Sequence, residues 1–186
     1  MLVPQTRQRL LDVATQVFNE DFSAPLEQIA ERAGVTRRTL HRYFASREDL
    51  LNSCLQDARR ICSQLMAEAM DSSDEPRTQL ERMLNAGINC GTKYALFTKL
   101  EGQQTDQHKL PQDDCSSYHI VYARFHALIL KLQREGIISL HITPEWVMLL
   151  FNTIMVTTIN AESTGSVART SIRQFAWFSF SRGIGL

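Results

Sequence analysis

Between Arg32 and Arg47 the chain carries five arginines, Arg32, Arg37, Arg38, Arg42 and Arg47, and no carboxylate, although 20 basic residues balance 20 acidic ones overall. A local positive field of this kind suits a polyanion. Guanidinium groups bind phosphate oxygens, and their flat two-pronged donor also matches O6 and N7 of guanine. Thr36, Thr39 and His41, interleaved with these arginines, can reach a thymine methyl or a base-edge acceptor. The chemistry expected of the segment is readout of duplex DNA.

The flanking residues explain how such side chains would be presented. Leu26, Ile29, Ala30 and Ala33 recur at the spacing that lines one face of a helix. Gly34 follows, where the backbone must turn left-handed, and Thr36 offers an oxygen to the free amides of a second helix. Two short helices joined by a four-residue turn form the unit that places its second helix in a major groove, with base contacts made near that helix's start. Arg37 and Arg38 stand there. Pro25 is compatible with the beginning of the first of the two helices, and Ser23 is the available cap.

Read as IAERAGVTRRTLHRYFASREDL, this segment resembles the TetR family of bacterial transcriptional regulators, whose pattern runs IA-x-x-AGV-[ST]-x-x-TLY-x-[YH]F-x-[SN]-[KR]-E-x-L. The resemblance implies a recognition helix over Thr36 to Arg42, phosphate contacts by Tyr43 and Arg47, and a core role for Leu40 and Phe44. The DNA-binding set is therefore Thr36, Arg37, Arg38, Thr39, His41, Arg42, Tyr43 and Arg47. His41 departs from the pattern, which has Tyr there; imidazole is shorter, and its charge varies near neutral pH.

The rest of the chain reads as helices alone. Leu10, Leu11, Ala14, Val17 and Phe18 form a first stripe over residues 6–19. Ser46 opens a long helix, with Glu48 and Asp49 in its first turn, that keeps its apolar period through Met66 and closes at Asp71 to Pro76. Further helices are expected over Leu80 to Leu100, Ser117 to Arg134, Pro144 to Ser163 and Val167 to Arg182. The expectation is an all-α chain: a three-helix helix-turn-helix domain over residues 1–46, then a helical ligand-binding and dimerisation bundle over 47–186.

Apolar residues surround the last two helices rather than lining one side, among them Trp146, Leu149, Leu150, Phe151 and Ile154, then Phe175, Trp177, Phe178 and Phe180. Pairing with symmetry mates would bury them, and the resemblance implies the same four-helix homodimer. Two recognition helices would then address an inverted-repeat operator. In the family fold the helices that face one another bring Met83, Asn89, Tyr94, Phe97, Phe125, Trp146, Phe151 and Met155, a wall that suits an apolar or aromatic small molecule. No arginine cluster occurs in these helices, so a highly phosphorylated effector is not expected.

Composition sets the remaining bounds. The N-terminus lacks the apolar run of a signal peptide, and the longest apolar stretch is too short to span a bilayer, so a cytoplasmic protein without membrane association is expected. Cys54, Cys62, Cys90 and Cys115 show no Cys-x-x-Cys spacing, and His108, Asp113, Asp114, Cys115 and His119 lie in a polar loop without metal-ligand spacing. Neither metal nor cofactor is expected. With no nucleophile-and-base pair, phosphate loop or paired carboxylates in an apolar setting, an enzyme is not expected either. The rival reading is an all-α bundle enzyme or carrier whose helix-turn-helix is not used on DNA. The preferred one is a sequence-specific repressor released from its operator by a small effector.

Overall fold

A computed structural model describes the backbone of residues 3–101 and 116–186, and the side chains of residues 5–91, 93, 95 and 119–186. The described residues form eight helices and no strand: α1 (Val3–Glu20), α2 (Leu26–Arg32), α3 (Arg37–Tyr43), α4 (Arg47–Asp71), α5 (Pro76–Glu101), α6 (Ser116–Arg134), α7 (Pro144–Thr164) and α8 (Arg169–Gly183). None of the helices searched among these residues is long and apolar enough to cross a membrane. The polar loop carrying His108, Asp113, Asp114 and Cys115 lies outside the described residues. Among those described, no group of three His, Cys, Asp or Glu could hold a metal ion.

The helices gather into two compact units. One takes the chain up to Arg59 together with the part of α5 beyond Gly91; the other takes Arg60–Gly91 with α6, α7 and α8. Helix α4 is therefore shared between them. So is α5, which the apolar period presents as one uninterrupted helix. It is broken at Gly91, where φ is 39° and ψ −106°, a conformation that a residue without Cβ adopts readily.

In the first unit the stripe of α1 is fully internal, with Leu10, Ala14 and Phe18 at zero exposure. Leu26, Ile29 and Ala30 of α2, Leu40 of α3, Phe44 and the Leu50 and Cys54 positions of α4 close the core around it. The second unit is built mainly on α7, which packs on α6 and α8. Thr143 caps α7 by accepting from the Trp146 amide at 3.2 Å, and Pro144 occupies the first turn, where its missing amide hydrogen costs nothing. Phe125, Phe151 and Phe180 run through this interior edge to face, with centroids 4.9 and 5.5 Å apart.

Candidate DNA-binding interface and bundle interior

The turn that presents α3 is assembled from backbone hydrogen bonds. Gly34 N donates to Glu31 O at 2.9 Å and Val35 N to Ala30 O at 3.0 Å, the paired closure of a helix ending on a left-handed residue. Gly34 has φ 65°, a conformation unfavourable for a residue bearing Cβ. From α1, Arg9 Nη2 donates to Ala33 O at 2.9 Å and ties the same corner down. Thr36 then caps α3, its Oγ1 accepting from Thr39 N at 3.2 Å.

Leu40 and Phe44, almost without exposure, seat α3 on the core, which leaves Thr36, Arg37, Arg38, His41 and Arg42 exposed on its outer side and Thr39 and Tyr43 half-buried. These side chains form one surface without a carboxylate of α3 among them. Arg37 is held from beside, by an ion pair to Glu27 of α2 at 2.6 Å and by donation from its Nε to His41 Nε2 at 3.3 Å. Arg42 lies over the Tyr43 ring, 5.3 Å from its centroid. Arg38 is exposed and carries neither ion pair nor hydrogen bond among the described residues, so its fork is presented outward unspent.

Arg47 behaves differently from the other arginines. Its Nε donates to Ala24 O at 3.1 Å and its Nη2 to Phe22 O, while the guanidinium packs over the rings of Phe18 and Phe22 at 5.1 and 5.4 Å. The side chain is turned inward and pins the start of α4 to the connection between α1 and α2. Ser23 does not cap α2: its amide and hydroxyl both donate to Asp21 Oδ1, at 2.9 and 2.6 Å, and the cap position falls on Pro25, which has no side-chain acceptor. At the head of α4, Ser46 Oγ accepts from Asp49 N at 3.1 Å and Asp49 Oδ2 accepts from Ala45 N at 2.8 Å, a reciprocal cap.

A polar cluster in the same unit escaped sequence reasoning. The Asp57 carboxylate, 6% exposed, accepts from Lys93 Nζ at 2.5 Å and from Gln8 Nε2 at 2.9 Å, and Lys93 also reaches Asp12 Oδ1 at 2.9 Å. Burial works against the Lys93 ammonium, but the hydrogen bonds and charges of Asp57 and Asp12 prevail and raise its pKa above the ordinary 10.5. The one available signal was Asp57 itself, a carboxylate set within the apolar period of α4. Cys54 nearby is desolvated, and its thiol is pushed up to about 12, which makes it inert at neutral pH.

Of the residues expected to line a ligand site, Met83, Phe125, Phe151 and Met155 lie buried in the second unit. Asn89 faces outward and accepts from Arg173 Nη2 at 2.6 Å, and Trp146 is 58% exposed. The side chains of Tyr94 and Phe97 lie outside those described. On the surface of the same unit Leu149, Phe175 and Phe178 are exposed along with Trp146.

The family model described as bacterial regulatory proteins, tetR family, matches residues 10–54. The chain is 23% identical over 164 residues to the HTH-type transcriptional regulator NfxB of Pseudomonas aeruginosa, a similarity covering 88% of this chain and 86% of that protein. It is 31% identical over 87 residues to the HTH-type transcriptional repressor LfrR of Mycolicibacterium smegmatis, covering 47% of this chain and 46% of that one. In fold it is similar to the crystal structure of the TetR-like regulator LfrR from Mycobacterium smegmatis in complex with proflavine, with a TM-score of 0.74 at 23% identity, covering 100% of this chain and 99% of that chain. The ketosteroid transcriptional regulator KstR2 of Mycobacterium tuberculosis has the same score at 16% identity, covering 96% of this chain and 94% of its own.

Proposed function

We infer that this chain, a member of the TetR family of bacterial regulatory proteins, is a ligand-responsive repressor that binds an inverted-repeat operator as a homodimer and works by binding rather than catalysis. The observation that carries this reading is the outer side of α3, a capped helix seated by Leu40 and Phe44 that offers Thr36, Arg38 and Arg42 to solvent. Arg38 reads a base and Arg42 and Tyr43 meet phosphate, with Arg37 exchanging Glu27 for the duplex; an exposed pair of this kind is worth little, so the exchange is cheap.

The exposed Trp146, Leu149, Phe175 and Phe178 of α7 and α8 support a two-fold interface through these helices. Such a dimer sets two recognition helices about 34 to 36 Å apart, one turn of the duplex. The effector is a small apolar or aromatic molecule held within α5 to α7, a reading supported by the buried Met83, Phe125, Phe151 and Met155 and by the proflavine complex of the similar LfrR. Its binding changes the tilt of α4, which runs from one compact unit into the other, and so the spacing of the two α3 helices.

The test is electrophoretic mobility shift with the inverted repeat beside the gene. Arg38→Ala should weaken operator binding by about 1 to 3 kcal/mol while binding to random DNA changes little. Equal losses on both would refute base readout by Arg38, and no salt-sensitive retention of any DNA would refute the regulator.

A further inference from the structure

Four polar side chains are buried among the described residues of the second unit: Ser63, Gln133, Thr158 and Ser181. Three are engaged. Gln133 donates to Ser139 O at 3.0 Å and Ile142 O at 2.7 Å, Thr158 Oγ1 to Met155 O at 2.7 Å, and Ser181 Oγ to Phe178 O at 3.3 Å. The Ser63 hydroxyl, on a residue 5% exposed, has no hydrogen-bond partner among the described residues. Native interiors retain few such groups, and each asks for a reason.

The surroundings supply one. Met66 lies three residues on from Ser63, on the same face of α4, and its Cε approaches Gly87 of α5. A Cβ on Gly87 would stand 3.4 Å from Met66 Cε and only 2.0 Å from Sδ of Met155 on α7. Gly87 thus opens a notch where three helices meet, and the end of a methionine fills it. An unbranched thioether chain with three rotatable bonds can leave such a place at small cost. No charged side chain is buried among the described residues of this unit.

We propose that Ser63 and the Gly87 notch form the recognition point for a neutral effector, an apolar body carrying one hydroxyl or carbonyl. The body takes the place of the Met155 sulfur against Gly87, and the polar group bonds the Ser63 hydroxyl, which can donate or accept. A cationic ligand is selected against, because no buried carboxylate among the described residues of this unit offsets the loss of its hydration. The proposal rests on the effector reading above and adds to it the ligand's class and its anchor. Since Ser63 sits on α4, the bond forms on the helix that the two units share.

The full-length protein tests this in two ways. Ser63→Ala removes a hydroxyl that no described residue satisfies, so its Tm should rise by about 2 to 4 °C; Ser181→Ala, which gains the same helix propensity but loses a bonded hydroxyl, should rise less or fall. In fluorescence titrations 2-naphthol should bind roughly tenfold more tightly than naphthalene, a ratio that collapses towards one in Ser63→Ala, and more tightly than proflavine. A lowered Tm for Ser63→Ala, or a naphthol preference that survives it, overturns the proposal. Release of the operator by proflavine but not by 2-naphthol also overturns it while leaving the effector reading intact. If neither neutral nor cationic probe binds or releases operator, the effector reading itself fails and this proposal with it.

Discussion

In the DNA-binding unit the buried Asp57 carboxylate is met by Lys93 and Gln8; in the bundle the buried Ser63 hydroxyl is met by no described residue. The contrast extends further. Around α3, guanidinium groups of Arg9 and Arg47 close on carbonyls of the connecting turns, and caps by Thr36 and Ser46 set where helices begin. In the bundle Gln133, Thr158 and Ser181 are bonded too, but the interior between its helices is filled mainly by the rings of Phe125, Phe151 and Phe180 and the chains of Met83 and Met155, which make no directional bonds. Hydrogen bonds fix distance and angle, whereas apolar contacts tolerate sliding and repacking. A surface that must match a groove is built from the first kind of contact, and an interior that must admit a ligand from the second.

The sharpest way to break that comparison is Lys93→Met, which takes the ammonium away from the buried Asp57 carboxylate. A loss of about 3 kcal/mol in urea unfolding is expected, most of it restored when Asp57→Asn is added. Because the Lys93 pKa is raised in the folded state, its contribution is complete below the ordinary 10.5 and disappears as pH climbs through the higher folded value. The difference between native protein and variant should therefore be flat at neutral pH and narrow only in strong alkali. A variant as stable as the native chain would mean that the two units do not differ in the way described.

Arg47→Ala comes next, with about 2 kcal/mol lost from two carbonyl bonds and the contacts over Phe18 and Phe22. Lys in its place should recover less than half, since it lacks the fork. The salt dependence of DNA binding separates the inward placement from the phosphate contact that the family resemblance implies: an unchanged slope fits the former, a slope reduced by about one the latter. Smallest is Thr36→Ala, about 1 kcal/mol from the lost cap of α3, with Ser restoring it in the same unfolding measurement.

Much of this was legible in the order of residues. Period-3.6 stripes marked α1, α2 and α4, polar and glycine-bearing breaks separated the helices that follow, and Gly34 and Thr36 marked the turn and start of α3, because caps and turns are decided by neighbours in sequence. The surplus of apolar residues on α7 and α8 likewise anticipated the exposed Trp146, Leu149, Phe175 and Phe178. Asn89 could not be placed in the same way, since a polar residue beside an apolar stripe can face either side, and here it meets Arg173, 84 positions away.

By itself the sequence determined the all-α class, the helix-turn-helix and the arginine-rich outer side of α3, since each follows from local periodicity, capping and charge. Only the tertiary structure decided what those groups do with one another. It turned Arg47 inward, bent α5 at Gly91 and brought Lys93 to Asp12 and Asp57 across 81 and 36 residues of chain. It also left Ser63 without a bond from any described residue, beside a methionine-filled notch. Such partnerships depend on which surfaces meet when helices pack, and the burial that drives packing is non-directional, so no local spacing specifies them.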